Sequence, residues 1–294
     1  MNDGKVEGPP FRISTKAELC NLLSVSPGLV GHVISRVDHY YVKDPRPKPN
    51  GGVRTLYKPL GRLCEIQSAI KSSILGRIPP LPFVHGGIRK RSIQTNARPH
   101  IGKEAVLAVD IRDCFPSIGP ERVLKVLNEL GVSGEAALIL RELTTFDFQL
   151  PQGPCTSPAI ANLVLRPVDY RLNALAHQHG LSYTRFMDDI IISGTARVGK
   201  FRGLVHKILE SEGFKLKAKK ELMLQSERQV VTKLVVNRKP NVPKERRAEI
   251  RREAVQQVNS GQGQLSPSTI GKLVWVKSIN KEVGSKLLSR FRPA

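Results

Sequence analysis

Apolar residues along the chain fall into two kinds of run. In TKAELCNLLSV and SPGLVGHVISR (15–36) they recur at helical spacing and predict two short helices, with Ser26 capping the second and Pro27 in its first turn. LCEIQSAIKSSIL places apolar residues at 63, 66, 70 and 74, the period of a third helix. ERVLKVLNELG and EAALILRELTT follow, with Gly131 ending the first of them. SPAIANLVLRPVDYRLNALAHQHG reads as a long helix capped by Ser157, with Pro158 in its first turn and a kink at Pro167. VGKFRGLVHKILESEG, SPSTIGKLVWVKSI and KEVGSKLLSRF are helical as well.

The other runs are short and dense. VRTLYKP reads as a strand, and AVLAVDI as a strand ending on Asp110. SYTRFMDDIIISG predicts two strands around a tight turn that holds Asp188 and Asp189. KDPRPKPNGG (43–52) is rich in Pro and Gly and reads as a turn segment, and residues 79–104 as a basic loop. VTKLVVNRKPNVPKERRAEIRREAVQQV joins a strand to a basic helix. There is no internal repeat and no low-complexity tract. The order of elements predicts an α+β fold rather than a regularly alternating parallel one.

A chain of 294 residues allows one large domain or two to three small ones, and 40% apolar content argues against wholesale disorder. Lys and Arg number 47 against 25 Asp and Glu, a surplus of +22 that calls for a polyanion. Nucleic acid is the first choice. An acidic membrane surface is the second, and no run of 18 apolar residues is present to span a bilayer. Between 197 and 253 there are 17 Lys/Arg against 7 Glu, a local +10. The opening MNDGKVEGPP has no apolar signal-peptide core. Cys20, Cys64, Cys114 and Cys155 lie 41 to 50 residues apart with no CxxC pair, against both a zinc site and a disulfide framework. A soluble cytosolic protein with reduced thiols is expected. The first helix pair fits an ordinary packing pair better than a DNA-reading one, because its second helix lacks a row of base-reading side chains.

Chemistry concentrates at three places: Asp110, LPQGPCTSP (150–158), and Asp188 with Asp189. Adjacent carboxylates between Phe186, Met187 and Ile190–Ile192 are costly unless paired or metal-bound. Alone, the pair would suit a salt-bridged turn. With Asp110 added, two strands can bring carboxylates to one point and make an oxygen-rich Mg²⁺ site. Two such ions about 4 Å apart clamp the attacking and leaving oxygens of a phosphoryl transfer.

DIRDCF, LPQGPCTSP and FMDD, in that order at 110, 152 and 188, resemble the palm motifs of reverse transcriptases. RTLYKPL and LCEIQSAI resemble the fingers motifs, and Lys219–Lys220 the lysine-bearing motif after the palm hairpin. HGGIRKRSIQTNARPH resembles the retron branch, whose Asn-Ala-x-x-His falls here on Asn96, Ala97 and His100. VVTKLVVN resembles the retron Val-Thr-Gly segment through Val231 and Thr232, with Lys233 where the family has glycine. Phe186-Met187 stands where the family has Tyr-x before Asp-Asp. The similarity runs from about residue 40 to the C-terminus.

The resemblance implies a right-hand polymerase with fingers at 1–105, palm at 106–227 and a basic helical thumb at 228–294. Its reaction would be RNA-templated DNA synthesis from dNTPs. A structured non-coding RNA would serve as template and primer, giving an RNA–DNA hybrid and branched RNA-linked single-stranded DNA. Such systems serve antiphage defence with a separate effector protein; no membrane partner is implied. By similarity, Asp110 and Asp188 hold two Mg²⁺ ions with the Ile111 carbonyl, and Asp189 is the third carboxylate. Phe115 would be the steric gate against a ribonucleotide 2′-OH, with plain core packing as the alternative. Gln152 and Gly153 would lie by the incoming nucleotide, and Arg54 would reach its triphosphate, with Lys58 a weaker candidate. Lys220, or Lys219, would donate a proton to the leaving pyrophosphate. Physics alone reads Asn96 and His100 as a turn Asn and a surface His; the retron pattern gives them a structural or RNA-positioning role. Thr232 and Lys233 would contact RNA. Arg246, Arg247, Arg251 and Arg252 read as one side of a helix, either a solvated face or a thumb surface on nucleic-acid phosphates. The alternatives are another bacterial reverse transcriptase, group II intron-like or diversity-generating, and a non-catalytic RNA-binding protein on the same fold. The intact aspartates argue against the last.

Overall fold

Thr15 accepts a hydrogen bond from the Glu18 amide and Glu18 reaches back to the Thr15 amide, so a capping box opens α1 (Lys16–Leu23). Ser26 caps α2 (Pro27–Ile34) by accepting from the Leu29 amide. The two helices bend by 102° and bury Leu19, Cys20, Leu23, Val30 and Val33, as a packing pair does. This is a computed structural model, and it describes residues 9–48, 51–217, 221–259 and 265–291.

β1 (Tyr41–Pro47) and β2 (Val53–Pro59) form an antiparallel hairpin, with Tyr41 opposite Pro59 and Pro47 opposite Val53. The segment expected to be a turn is thus half strand. Pro45 and Pro47 are tolerated because β1 has a single partner, so a missing N–H on its open edge breaks no ladder bond. α3 (Gly61–Ser73) buries Leu63, Ile66, Gln67 and Ile70, and the Gln67 amide donates to the Tyr41 hydroxyl and the Leu143 carbonyl, both at 2.8 Å. The basic segment expected as loop contains α4 (Ile93–Ala97) and a 3₁₀ turn over Arg98–His100.

Next come β3 (Ala105–Asp110), α5 (Pro120–Glu129) and α6 (Gly134–Thr144). The long helix divides into α7 (Ser157–Val164) and α8 (Arg166–Gln178). It breaks at Leu165, two residues before Pro167, because a proline ring is accepted in a first helical turn but not an interior one. Thr156, rather than Ser157, holds the cap position. β4 (Ser182–Phe186), β5 (Asp189–Gly194), α9 (Arg202–Ser211) and β6 (Glu221–Leu224) follow. The chain then runs through β7 (Val230–Val231), β8 (Leu234–Val235), α10 (Lys244–Gln257), α11 (Pro267–Ile279) and α12 (Lys281–Leu288).

These elements sort into two compact units, each made of two stretches of chain. The first takes the residues up to Leu81 with Arg112–Asp169; the second takes Pro82–Ile111 with the chain from Tyr170 onward. In the first, Leu63, Ile66, Val123, Leu140 and Leu143 are fully buried. The second holds an antiparallel sheet in the order β4-β5-β3-β6. β3 is central in this sheet and its consecutive residues are buried, so both of its faces are covered and AVLAVD is a nearly continuous apolar run. Val106, Ile191 and Met223 of the sheet share one apolar cluster with Val231, Leu234, Ile250, Leu273 and Val276. Each such side chain contributes about 1.5–3 kcal/mol on burial, so sheet and C-terminal helices stabilise one another. Among the described residues no single helix is long and apolar enough to cross a membrane.

Candidate active site

Strand register assembles the carboxylates. Asp110, the last residue of β3, is paired with Asp189, the first of β5, and Asp189 is paired with Phe186. The hairpin turn is therefore Met187–Asp188, and the Asp188 carbonyl accepts from the Ile111 amide at 2.9 Å. On the other edge of β3, the Lys217 amide donates to the Asp110 carbonyl at 2.9 Å, beside an Ile111–Leu216 bridge. Residues opposite one another across strands point to the same face, so Asp189, Asp110 and Lys217 form a row.

The turn is held from beneath. Met187 takes a left-handed backbone conformation (φ 57°), and Arg185, fully buried, donates from Nη1 to the Met187 carbonyl at 2.7 Å. Gly86 packs its backbone against Met187 with no room for a Cβ, and the His85 amide donates to the Arg185 carbonyl at 2.8 Å. Arg185, Gly86 and Lys217 escaped the sequence reading. The HGG run was the only available signal for Gly86, and nothing local marks the other two.

Burial, then the charges of Asp188 and Asp110, push the Asp189 carboxyl up to about 7, while Lys217 and Lys233 pull the other way. Burial works against the Lys217 ammonium. Its hydrogen bond to Asp110 and the three carboxylate charges outweigh that and raise it. The Lys217 Nζ lies 2.6 Å from the Asp110 carboxylate. Crowding that holds one of three carboxyls near neutrality is what a bound cation relieves, and an all-oxygen donor set suits a hard divalent ion. Among the described residues no three His, Cys, Asp or Glu side chains form a ready-made metal cage. The donors fit the ion, with Asp110 engaged by Lys217.

The same unit corrects the reading of His100 as a surface residue. His100 is fully buried, with Nδ1 2.6 Å from the Ser193 hydroxyl on β5 and Nε2 2.8 Å from the Thr184 hydroxyl on β4. It ties the segment after α4 to both strands of the aspartate hairpin. Burial, with smaller contributions from His85 and Lys103, pushes its pKa down to about 3, so it is neutral. Asn96 is buried too, and its Nδ2 donates to the Thr232 hydroxyl at 3.1 Å. The two retron hallmarks are joined by that bond. Thr232 (φ 44°) and Lys233 (φ 68°) form a two-residue left-handed turn between β7 and β8. A glycine at 233 suits this backbone on steric grounds alone.

In the first unit, the Tyr57 amide on β2 donates to the Gln152 carbonyl at 2.7 Å. Gly153 has φ 129°, and a Cβ there would lie 2.5 Å from the Tyr57 carbonyl oxygen. Arg54, opposite Arg46 on the hairpin, and Gln152–Gly153 are thus carried by docked backbone segments. Lys58 is spent on Asp44 at 2.6 Å. Phe115 is half-buried, between the buried Cys114 and Ile118. Lys219 and Lys220 lie outside the described residues.

The four tail arginines do not share one side of α10. Arg247 and Arg251 line a groove with Lys244 of the same helix and Lys286 and Arg290 across from it. Arg246 instead bonds Glu249 at 2.8 Å, and Arg252 is exposed. Residues at 246, 247, 251 and 252 fan around a helix of 3.6 residues per turn, so adjacent pairs cannot point alike.

A family model for reverse transcriptases (RNA-dependent DNA polymerases) matches residues 46–235. The chain is 33% identical over 306 aligned residues to the retron Mx65 reverse transcriptase of Myxococcus xanthus, covering 95% of this chain and 71% of that one. To the retron Ec86 reverse transcriptase of Escherichia coli it is 30% identical over 245 residues, covering 82% of this chain and 76% of that one. To the retron Mx162 reverse transcriptase of Myxococcus xanthus it is 33% identical over 229 residues, covering 67% and 47%. Reverse transcriptases work with divalent metal ions and act on nucleic acid. With its aspartates brought together on an antiparallel sheet and its similarity spanning nearly the whole chain, this protein belongs to the retron reverse transcriptases, RNA-directed DNA polymerases of the right-hand fold.

Proposed function

We propose that Asp110, Asp188 and Asp189 are the catalytic carboxylates and that they hold two Mg²⁺ ions with the Ile111 carbonyl. The observation that carries this is the pairing of Asp110 with Asp189 beside Asp188, crowded enough to push Asp189 up to about 7. Bound there, the ions would supply positive charge to the attacking and leaving oxygens. A primer hydroxyl attacks the α-phosphate of a dNTP and pyrophosphate leaves. Arg54 binds the triphosphate bidentately. Gln152 and Gly153 line the nucleotide, Gly153 by letting backbone approach closely. Phe115 excludes a 2′-OH, a role that suits a half-buried ring better than core packing does. Lys220 protonates the leaving pyrophosphate.

The fingers, palm and thumb are assigned to 1–105, 106–227 and 228–294. The template and primer are one structured non-coding RNA, and the product is branched RNA-linked single-stranded DNA made in the cytoplasm for antiphage defence with a separate effector protein. Asn96 and His100 act by shaping the Thr232–Lys233 turn and the hairpin, and that turn contacts the RNA. Arg246, Arg247, Arg251 and Arg252 meet RNA or hybrid phosphates, with Arg247 and Arg251 the leading pair.

Primer extension with Mg²⁺, run beside an RNA-binding assay, tests the site. Asp188→Asn and Asp189→Asn should each abolish dNTP incorporation with RNA binding nearly intact; substantial extension by Asp188→Asn would sink the assignment. Phe115→Ala should lower the preference for dNTP over rNTP. Sequencing the nucleic acid that co-purifies with the protein tests the RNA: a branched RNA–DNA species is expected.

A further inference from the structure

Lys217 is the residue of the aspartate row that the proposed chemistry leaves unused. Its backbone is fixed against β3 by the bond to the Asp110 carbonyl, so its side chain starts next to Asp110. Its ammonium lies 2.6 Å from the Asp110 carboxylate, at the length of a charge-assisted bond. Its side chain is nonetheless 46% exposed. A four-carbon stem with one open side can swing away without disturbing the backbone that anchors it. Sheet register also fixes which acid it meets: Asp110 has Asp189 on one flank and Lys217 on the other.

Three neighbouring carboxylates repel one another in the absence of a cation, and repulsion of that kind splays a hairpin turn. From this geometry we infer that Lys217 is a tethered counter-cation: it holds Asp110 in place in the metal-free enzyme and must leave that carboxylate when metal binds. It acts as a positioning residue rather than a catalytic one. The consequence is a trade, in which the site stays assembled without metal and binds metal more weakly than its carboxylates alone would. The inference rests on the metal-site reading above.

The test uses Mn²⁺ binding to the full chain, without nucleic acid, followed by electron paramagnetic resonance. Asp188→Asn checks the site itself: unchanged Mn²⁺ binding in that variant overturns the metal reading, and this inference with it. Given a site that Asp188→Asn weakens, Lys217→Met should bind Mn²⁺ about tenfold more tightly, whereas Lys217→Arg should stay near wild type. Lys217→Met should also melt at a lower temperature than wild type in EDTA and gain more on adding Mg²⁺. Equal Mn²⁺ affinity in a folded Lys217→Met protein overturns the inference alone. Should that variant fail to fold, the wild-type protein still decides: the ¹⁵N signal of the Lys217 ammonium, assigned by its loss in Lys217→Arg, should shift on titration with Mg²⁺ in step with binding. An ammonium signal unmoved at saturating Mg²⁺ overturns it.

Discussion

His100 is fully buried between two hydroxyls, and each ring nitrogen already has a partner. Its folded pKa of about 3 lies below the ordinary 6.5. Between those values the unfolded chain carries a proton that the folded one lacks. Stability is therefore full above about 6.5 and is lost as pH falls towards 3, by at most about 1.4 kcal/mol per pH unit. His85, pushed down to about 4 mainly by burial, adds a slope of the same sign. Asp189 works oppositely in the metal-free protein: its raised value of about 7 makes stability fall as pH rises from about 4 to 7. Urea unfolding of wild type and His100→Gln at pH 5 and pH 7 isolates the histidine. The variant should lose less stability between pH 7 and pH 5 than wild type does; an equal loss would show that His100 titrates normally.

Among the elements, the β7–β8 hairpin carries a sequence that departs from its own geometry. Lys233 occupies a left-handed position that costs a non-glycine residue about 1–2 kcal/mol. Lys233→Gly should add roughly 1 kcal/mol of stability, read as a higher urea midpoint at an unchanged slope; no gain would mean that Lys233 makes compensating contacts. Gly153 is the reverse case, for both its φ and the Tyr57 carbonyl forbid a side chain. Gly153→Ala should lower dNTP incorporation at least tenfold while RNA binding stays near wild type, measured by primer extension and filter binding. Most helices were legible because a 3.6-residue apolar period survives in their sequence, as at 63, 66 and 70. β1 was hidden by Pro45 and Pro47, whose exclusion from strands holds only for strands with two partners. α4 is five residues long and leaves no period to see. The aspartates stood out by chemistry alone. Lys217 and Arg185 did not: the partner of Lys217 is Asp110, 107 residues away, and Arg185 gains its meaning from being fully buried beneath the hairpin turn, which a lone arginine in a strand does not announce.

At the scale of the whole molecule, a net charge of +22 favours all nucleic acids alike and so distinguishes little. The arrangement in the α10–α12 groove is more telling, since Arg247 and Arg251 face Lys286 and Arg290 while Arg246 is balanced by Glu249. Replacing Arg247 and Arg251 by Ala should flatten the salt dependence of hybrid binding by about one unit of slope per lost phosphate contact. Arg246→Ala should change it less. Kd measured against salt concentration for each variant separates the two, and equal slopes would return all four arginines to a diffuse charged surface.

Each compact unit is stitched from two separate stretches, the chain changing units after Leu81, after Ile111 and after Asp169. A ribosome delivers residues strictly in order, so the first unit must wait for its second stretch while the opening stretch of the other unit emerges in between. β3, bearing Asp110, is then made well before either neighbouring strand, and its apolar edges stay open until β5 and β6 arrive. A gene cut between Ile111 and Arg112 would leave neither product with a whole core. Assembly of the aspartate row is thereby postponed until β5 has been made and Lys217 has followed it, and a fragment that ends before β5 cannot bring Asp110 and Asp189 together.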